Sequence, residues 1–231
     1  MKRFSIRIIT AGMILASSLT SAHNVMPRPS SMQKNDGVLR IDSSFSISIG
    51  NQQKLRGVAE RAMARLQKLT GIPLNPTSAF VSRSATLEFT CEVFDEKTQT
   101  FNADESYSLS ISPQGAQLKA PTQLGIVRGV ETFIQLIERD SVGFTVTAMT
   151  INDSPRFRWR GLLLDACRHW MPVDVIKRNL DGMAMVKMNV LHWHLSEDQG
   201  FRVESKKFPK LHELGSDGNY YTQDQIRDVV A

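Results

Sequence analysis

Residues 189 to 205, NVLHWHLSEDQGFRVES, place His192, Trp193, His194, Glu197, Asp198 and Glu204 within seventeen positions, and upstream Asp165 is followed three residues later by Arg168. Three chemistries could use such a set. Two imidazoles separated by one residue can begin a metal site, provided that a further ligand such as Glu197 or Asp198 joins them. Glu197 and Asp198 together offer an acid and a base, although neighbouring side chains on a loop point apart, whereas paired glycosidase carboxyls need a defined gap of roughly 5 Å or more. The third possibility is the polar wall of a pocket for a hydroxyl-rich ligand. There the Arg168 guanidinium would donate to neutral oxygens or pair with Asp165 or Asp198, and neutral His192 and His194 would support it by hydrogen bonding. Residue types alone leave all three open.

The elements that must carry these residues narrow the geometry. Side chains alternate along a strand, so His192 and His194 share one face, and Leu191, Trp193 and Leu195 share the other. Residues 161 to 165, Gly-Leu-Leu-Leu-Asp, form a short apolar run ending in an acid, the pattern of a parallel strand buried on both faces. After Pro172, residues Val173, Ile176, Leu180, Met183 and Ala184 recur at helical spacing, and a second strand over 189 to 195 follows at once. Strand, loop, helix and strand in that order make a βαβ unit with parallel strands. The loops after Asp165 and after Leu195 then lie on one rim, where barrel enzymes carry their active sites. Arg168 and the 194 to 198 segment are therefore expected to converge. A last helix starts after Thr222, its expected N-cap.

Upstream, the chain has a different rhythm. Ile41, Phe45, Ile47 and Ile49 alternate as a half-buried strand, and Leu55 to Leu69 follow helical spacing until Gly71 and Pro73 stop it. Strand patterns recur near 86 to 92, 107 to 111, 116 to 120 and 144 to 151, with a helix after Thr122 that carries Val127, Val130, Ile134 and Ile137. This predicts a small α+β domain over 38 to 152, a mostly antiparallel sheet with helices on one face. Pro155 breaks the chain, and Arg156, Arg158 and Arg160 alternate with Phe157 and Trp159 at the start of a second domain over 153 to 231.

The ends and the charge bound the rest. Lys2, Arg3 and Arg7 precede an uncharged stretch that closes in small residues at 20 to 22, so residues 1 to 22 read as a cleavable signal peptide and 23 to 37 as a linker. The expected location is secreted or periplasmic, with no membrane association after cleavage. Loss of the leader's three basic residues takes the formal net charge from +5 to +2, and no clustered basic stripe argues for nucleic acid. Cys91 and Cys167 are expected as two buried free thiols, since one pair does not make a disulfide scaffold.

Three blocks, RGLLLDACRHWMP (160 to 172), MVKMNVLHWHLSEDQGFRVESKKFPKL (185 to 211) and YYTQDQIRDVVA (220 to 231), resemble the opening of the catalytic barrel of glycoside hydrolase family 20, the β-N-acetylhexosaminidases. The stretch ESYSLSISPQGAQLKAPTQLGIVRGVETFIQLI (105 to 137) is similar to the small α/β domain that precedes this barrel in the family. The resemblance implies retaining hydrolysis of terminal β-linked N-acetylglucosamine or N-acetylgalactosamine, in which the substrate's own acetamido oxygen is the nucleophile. It implies no cofactor and no metal. Its partner would be an aminosugar-containing glycan or a chitin oligosaccharide. By resemblance Arg168 grips hydroxyls of the terminal sugar, and His194, Glu197 and Asp198 belong to the polar surround, beside which the strand reading also places Asp165 and His192 as supporting residues. The family's adjacent Asp-Glu pair, which orients the acetamide and supplies the general acid, sits at the end of the fourth barrel strand. Glu197-Asp198 has the reverse order on the second strand, so the working pair is expected beyond Ala231. The chain then carries the first two βα units of a truncated (β/α)8 barrel, and a piece of about 78 residues against the roughly 250 of a whole barrel is expected not to catalyse alone. The competing readings are a non-catalytic carbohydrate-binding module built on the α+β domain and a metal-dependent barrel hydrolase that uses His192 and His194.

Overall fold

The computed structural model describes residues 25–74, 85–93, 100 and 102–230. The signal-peptide reading of residues 1 to 22 lies outside the described residues. The first half contains β1 (Ser31–Ile41), β2 (Ile47–Ser48), α1 (Arg56–Thr70), β3 (Leu87–Val93), β4 (Tyr107–Ser112), β5 (Gly115–Thr122), α2 (Gln123–Gln135), β6 (Ile137–Arg139) and β7 (Phe144–Asp153). The strands form one sheet in the order β1-β7-β4-β5-β3-β2, with β6 also on β7. Pairs around β7 and between β4 and β5 are antiparallel, whereas β2, β3 and β5 run parallel, so the sheet is mostly antiparallel with a parallel part at one side. The parallel part arises because α1 lies between β2 and β3 in the chain, and a helical crossover returns the chain in the same direction.

Local chemistry explains these boundaries. Apolar spacing buries Val58, Ala59, Ala62, Met63 and Leu66 of α1, and Gly71 ends it in the left-handed region at φ 71° with its N–H on the Gln67 carbonyl. Thr122 caps α2 by accepting from the Gly125 N–H at 3.3 Å. Gly125 has no room for a side chain, since a Cβ there would stand 2.1 Å from the Ser106 carbonyl oxygen, so α2 begins pressed against the chain leading into β4. Both helices share one apolar core with the sheet, including Leu87, Leu109, Leu118, Ile126, Phe133 and Ile151.

Four sequence expectations need correction here. Residues 31 to 37 are not linker but the first part of β1, paired with β7 from Ser31↔Asn152 onward. They are polar because β1 is the edge of the sheet, and its register shifts between Lys34 and Val38. The alternating run 41 to 49 is two strands, because the Asp42 carboxylate accepts from the Ser44 N–H at 2.8 Å and the Ser44 hydroxyl at 2.6 Å and turns the chain. Ile137 belongs to β6 rather than to α2. The run 161 to 165 is buried on one face only, with Leu163 56% exposed.

The second half contains β8 (Gly161–Asp165), α3 (Val173–Met185), β9 (Val190–His194), β10 (Ser196–Glu197), β11 (Gly200–Phe201), α4 (Lys210–Gly215) and α5 (Gln223–Val230). Strands β8 and β9 pair in parallel, from Gly161↔Val190 to Asp165↔His194. Leu162, Leu164, Leu191, Trp193 and Leu195 pack with Ile176 of α3 and Ile226 of α5 around the buried Tyr221. The opposite face carries Leu163 and His192, which stand opposite each other in register. At the start of α5, the Gln225 N–H donates to the Thr222 hydroxyl at 3.2 Å and the Thr222 N–H donates to the Gln225 side chain at 2.9 Å, a reciprocal cap. Cys91 and Cys167 are both buried and free. No helix among the described residues is long and apolar enough to cross a membrane.

Candidate functional site

Parallel register brings the ends of β8 and β9 side by side, and the side chains that follow them meet. Arg168 places one guanidinium nitrogen 3.2 Å from Asp165 Oδ2 and donates from another to Glu197 Oε1. Its backbone N–H also donates to Asp165 Oδ1 at 3.1 Å, so the strand-end acid fixes both the start and the tip of this residue. His194 Nε2 lies 3.4 Å from Glu197 Oε1 but makes no hydrogen bond among the described residues. The group stands at the surface: the side chains of Arg168, Asp165 and Glu197 are 54%, 26% and 32% exposed.

Electrostatics follow from these contacts. The hydrogen bond from Arg168 and its positive charge hold the Glu197 carboxyl below the usual glutamate range. The Arg168 backbone N–H, more than its charge, does the same for Asp165. The two carboxylates, with the Glu197 hydrogen bond as the first cause, raise the Arg168 guanidinium further. At neutral pH this is a half-exposed cation clamped between two anions.

Of the residues singled out in the sequence, Asp165, Arg168, His194 and Glu197 come together. His192 lies on the same strand face, its ring centroid 5.9 Å from that of His194, but it is exposed opposite Leu163. Asp198 sits on the β10–β11 turn, where its N–H reaches Glu197 Oε2 at 3.4 Å. Among the described residues no group of three or more His, Cys, Asp or Glu side chains is placed to hold a metal ion. Two histidines alone leave such an ion short of ligands.

Supporting residues were harder to foresee. The 166 to 170 loop is tied to the end of β9 and to the hairpin that β10 and β11 form, and the residue after that hairpin is tied back to the end of β9. Ala166 N–H donates to the His194 carbonyl at 3.2 Å, Cys167 Sγ to the Gly200 carbonyl at 3.0 Å, and Arg202 N–H to the Leu195 carbonyl at 2.8 Å. Arg202, only 6% exposed, donates from Nε to the Cys167 carbonyl at 3.1 Å and from Nη1 to the carbonyls of Ser216 and, at 3.2 Å, Asn219. One buried guanidinium thus holds the residue before Arg168 and the chain beyond the hairpin. The only trace in sequence is a cation between Phe201 and Val203, a pattern shared by any surface arginine.

Comparison with known proteins places both halves. Residues 22–154 match the family model described as glycosyl hydrolase family 20, domain 2, and residues 157–231 match that of the glycosyl hydrolase family 20 catalytic domain. The chain is 36% identical over 93% of its length to the β-hexosaminidase subunit beta of Felis catus, covering 43% of that protein, and 45% identical over 64% of its length to that of Homo sapiens, covering 26%. Among solved structures it resembles the chitobiase of Flavobacterium johnsoniae, with a TM-score of 0.78 and 42% identity over 90% of this chain and 32% of that one. It also resembles an exo-β-N-acetylglucosaminidase of Vibrio harveyi in complex with N-acetylglucosamine, with a TM-score of 0.77 and 30% identity over 93% of this chain and 35% of that one. The chain therefore spans between about a quarter and two-fifths of the length of these relatives.

Proposed function

The chain belongs to glycosyl hydrolase family 20, and from that premise we propose that it forms the opening part of a β-N-acetylhexosaminidase acting on terminal N-acetylglucosamine or N-acetylgalactosamine. In this reading the parallel pair β8–β9 begins a (β/α)8 barrel, and its rim is one wall of the sugar pocket. The observation that carries it is the clamped Arg168 beside the β8 and β9 ends. A sugar offers neutral hydroxyls, and a guanidinium whose charge is already met by Asp165 and Glu197 can donate its remaining N–H groups to them in a fixed direction. The sugar complex of the Vibrio harveyi relative supports the same ligand class.

The same electrostatics limit what this wall does. Glu197 is held ionised by Arg168, so it has no proton to give near neutral pH and is unsuited to be the general acid. Glu105, in the dipeptide Asp104-Glu105, is buried against Arg128 and Arg160 far from this rim in the chain. In the substrate-assisted scheme the acetamido oxygen closes on the anomeric carbon while an acid protonates the leaving oxygen. Arg168 would hold the sugar for that step, and the acid and the acetamide-orienting group would be supplied by other residues. A leader over 1 to 22 would place the protein outside the cytoplasm, which N-terminal sequencing of exported protein tests.

The deciding assay uses a chromogenic N-acetylglucosaminide with the 231-residue chain and with a version extended by the downstream reading frame. The extended protein is expected to turn over and the 231-residue chain is not. Arg168→Lys in the extended protein is expected to lower kcat/KM about 10- to 100-fold, because a lysine keeps the charge and loses the fork. Robust turnover by the 231-residue chain, or full activity in Arg168→Lys, would overturn the proposal.

A further inference from the structure

The junction between the two halves holds a feature that the sugar rim does not use. A cavity of about 130 Å³ opens there, with Arg128, Lys187 and Arg160 inside it and Arg28 and Arg156 at its edge. Arg128 and Lys187 are 6% and 5% exposed, buried as few cations are. Arg128 donates from Nε to Glu105 Oε2 at 2.5 Å, and its two Nη groups have no hydrogen-bond partner among the described residues. Lys187 gives two protons, one to the Tyr107 hydroxyl at 2.8 Å and one to Asp153 Oδ2 at 3.0 Å, and keeps a third. Each nitrogen of the Arg160 guanidinium makes one hydrogen bond, to the carbonyls of Lys187 and Phe157 and to Glu105. Arg28 and Arg156 are exposed and have no ion-pair partner among the described residues.

Charge does not balance in this space. Five cations face two carboxylates, Glu105 and Asp153, which leaves an excess of three positive charges around the cavity. Glu131 acts on Arg128 and Lys187 from nearby, but it is already paired with Arg65. Water could satisfy the free N–H groups without neutralising the charge, whereas an oxyanion does both, and charge-assisted bonds are the stronger kind. We propose that this cavity binds a small oxyanion of the phosphate or sulfate class, held from below by the Arg128 Nη groups and Lys187 and closed at the edge by Arg28 and Arg156. No step involves a sugar or turnover, so the site stands or falls apart from the hexosaminidase reading.

The test is isothermal titration of the 231-residue chain with inorganic phosphate, in chloride buffer at matched ionic strength. Wild type is expected to bind saturably with one site. Arg28→Gln/Arg156→Gln touches no buried pair and is expected to bind at least about tenfold more weakly. Arg128→Gln is expected to abolish binding, with circular dichroism checking that it folds, and Arg168→Gln is expected to bind like wild type. Glycerol phosphate in a second titration separates a free ion from a phosphomonoester, and binding of phosphate with or without it supports the site. Heat that does not saturate, or equal affinity in wild type and the edge variant, would overturn the proposal.

Discussion

Glu197 is where the chemistry of the rim can be read directly, because its ionisation reports on Arg168. With the guanidinium removed in Arg168→Met, the Glu197 carboxyl is expected to climb back toward the ordinary value of 4.5, while Asp198→Asn leaves it where it is. Carbon-detected NMR titration of the side-chain carboxyls measures both. The pH dependence of the wild type follows in sign. Asp165 and Glu197 are both depressed in the folded chain, so their contribution is fully present above ordinary carboxylate values and lost only as pH falls through the depressed ones. The clamp is thus expected to hold at and above the ordinary carboxylate range and to open only in stronger acid. That Arg168 would approach the 194 to 198 segment was legible, because strand parity and parallel pairing are sequence properties. Which of Glu197 and Asp198 turns inward was not, since the tight turn between β10 and β11 decides it.

Among the elements, the loop after β8 depends on partners distant in sequence. Arg202→Met removes the donor for three carbonyls, two of them in the Ser216 to Asn219 stretch, and is expected to cost about 1–3 kcal/mol. Hydrogen exchange at residues 166 to 170 should rise in the same variant, and unchanged exchange would show that the hairpin alone holds the loop. Gly200 permits the close approach, since a Cβ there would stand 3.1 Å from the Gly215 carbonyl oxygen. Long periodic elements such as α1, α2 and α3 were legible because one buried face imposes its spacing on many residues. The first part of β1, together with β6, β10 and β11, was not. These pieces are short or polar, and pairing with a neighbour rather than an apolar pattern defines them.

At the scale of the whole molecule, the two halves are joined by buried charge rather than by an apolar seam. Glu105 accepts from Arg128 of the first half and Arg160 of the second, at 2.5 Å each, and Lys187 reaches back to Tyr107 and Asp153. Burial pushes the Lys187 ammonium down, against the pull of Asp153 beside it, so the junction keeps its charge only while these partners stay in place. Removing one member of such a buried group leaves the others uncompensated. Glu105→Ala is therefore expected to cost about 3–5 kcal/mol, whereas Asp228→Asn, which breaks the exposed Lys177–Asp228 pair at 2.6 Å, stays within about 1 kcal/mol. Urea unfolding can locate the effect, because Trp159, Trp170 and Trp193 all lie in the second half and circular dichroism reports both halves. In wild type the two signals are expected to change together. In Glu105→Ala the fluorescence transition is expected to move to lower urea and to separate from the dichroism, and coincident transitions at the wild-type midpoint would show that the halves are held by something other than this charge.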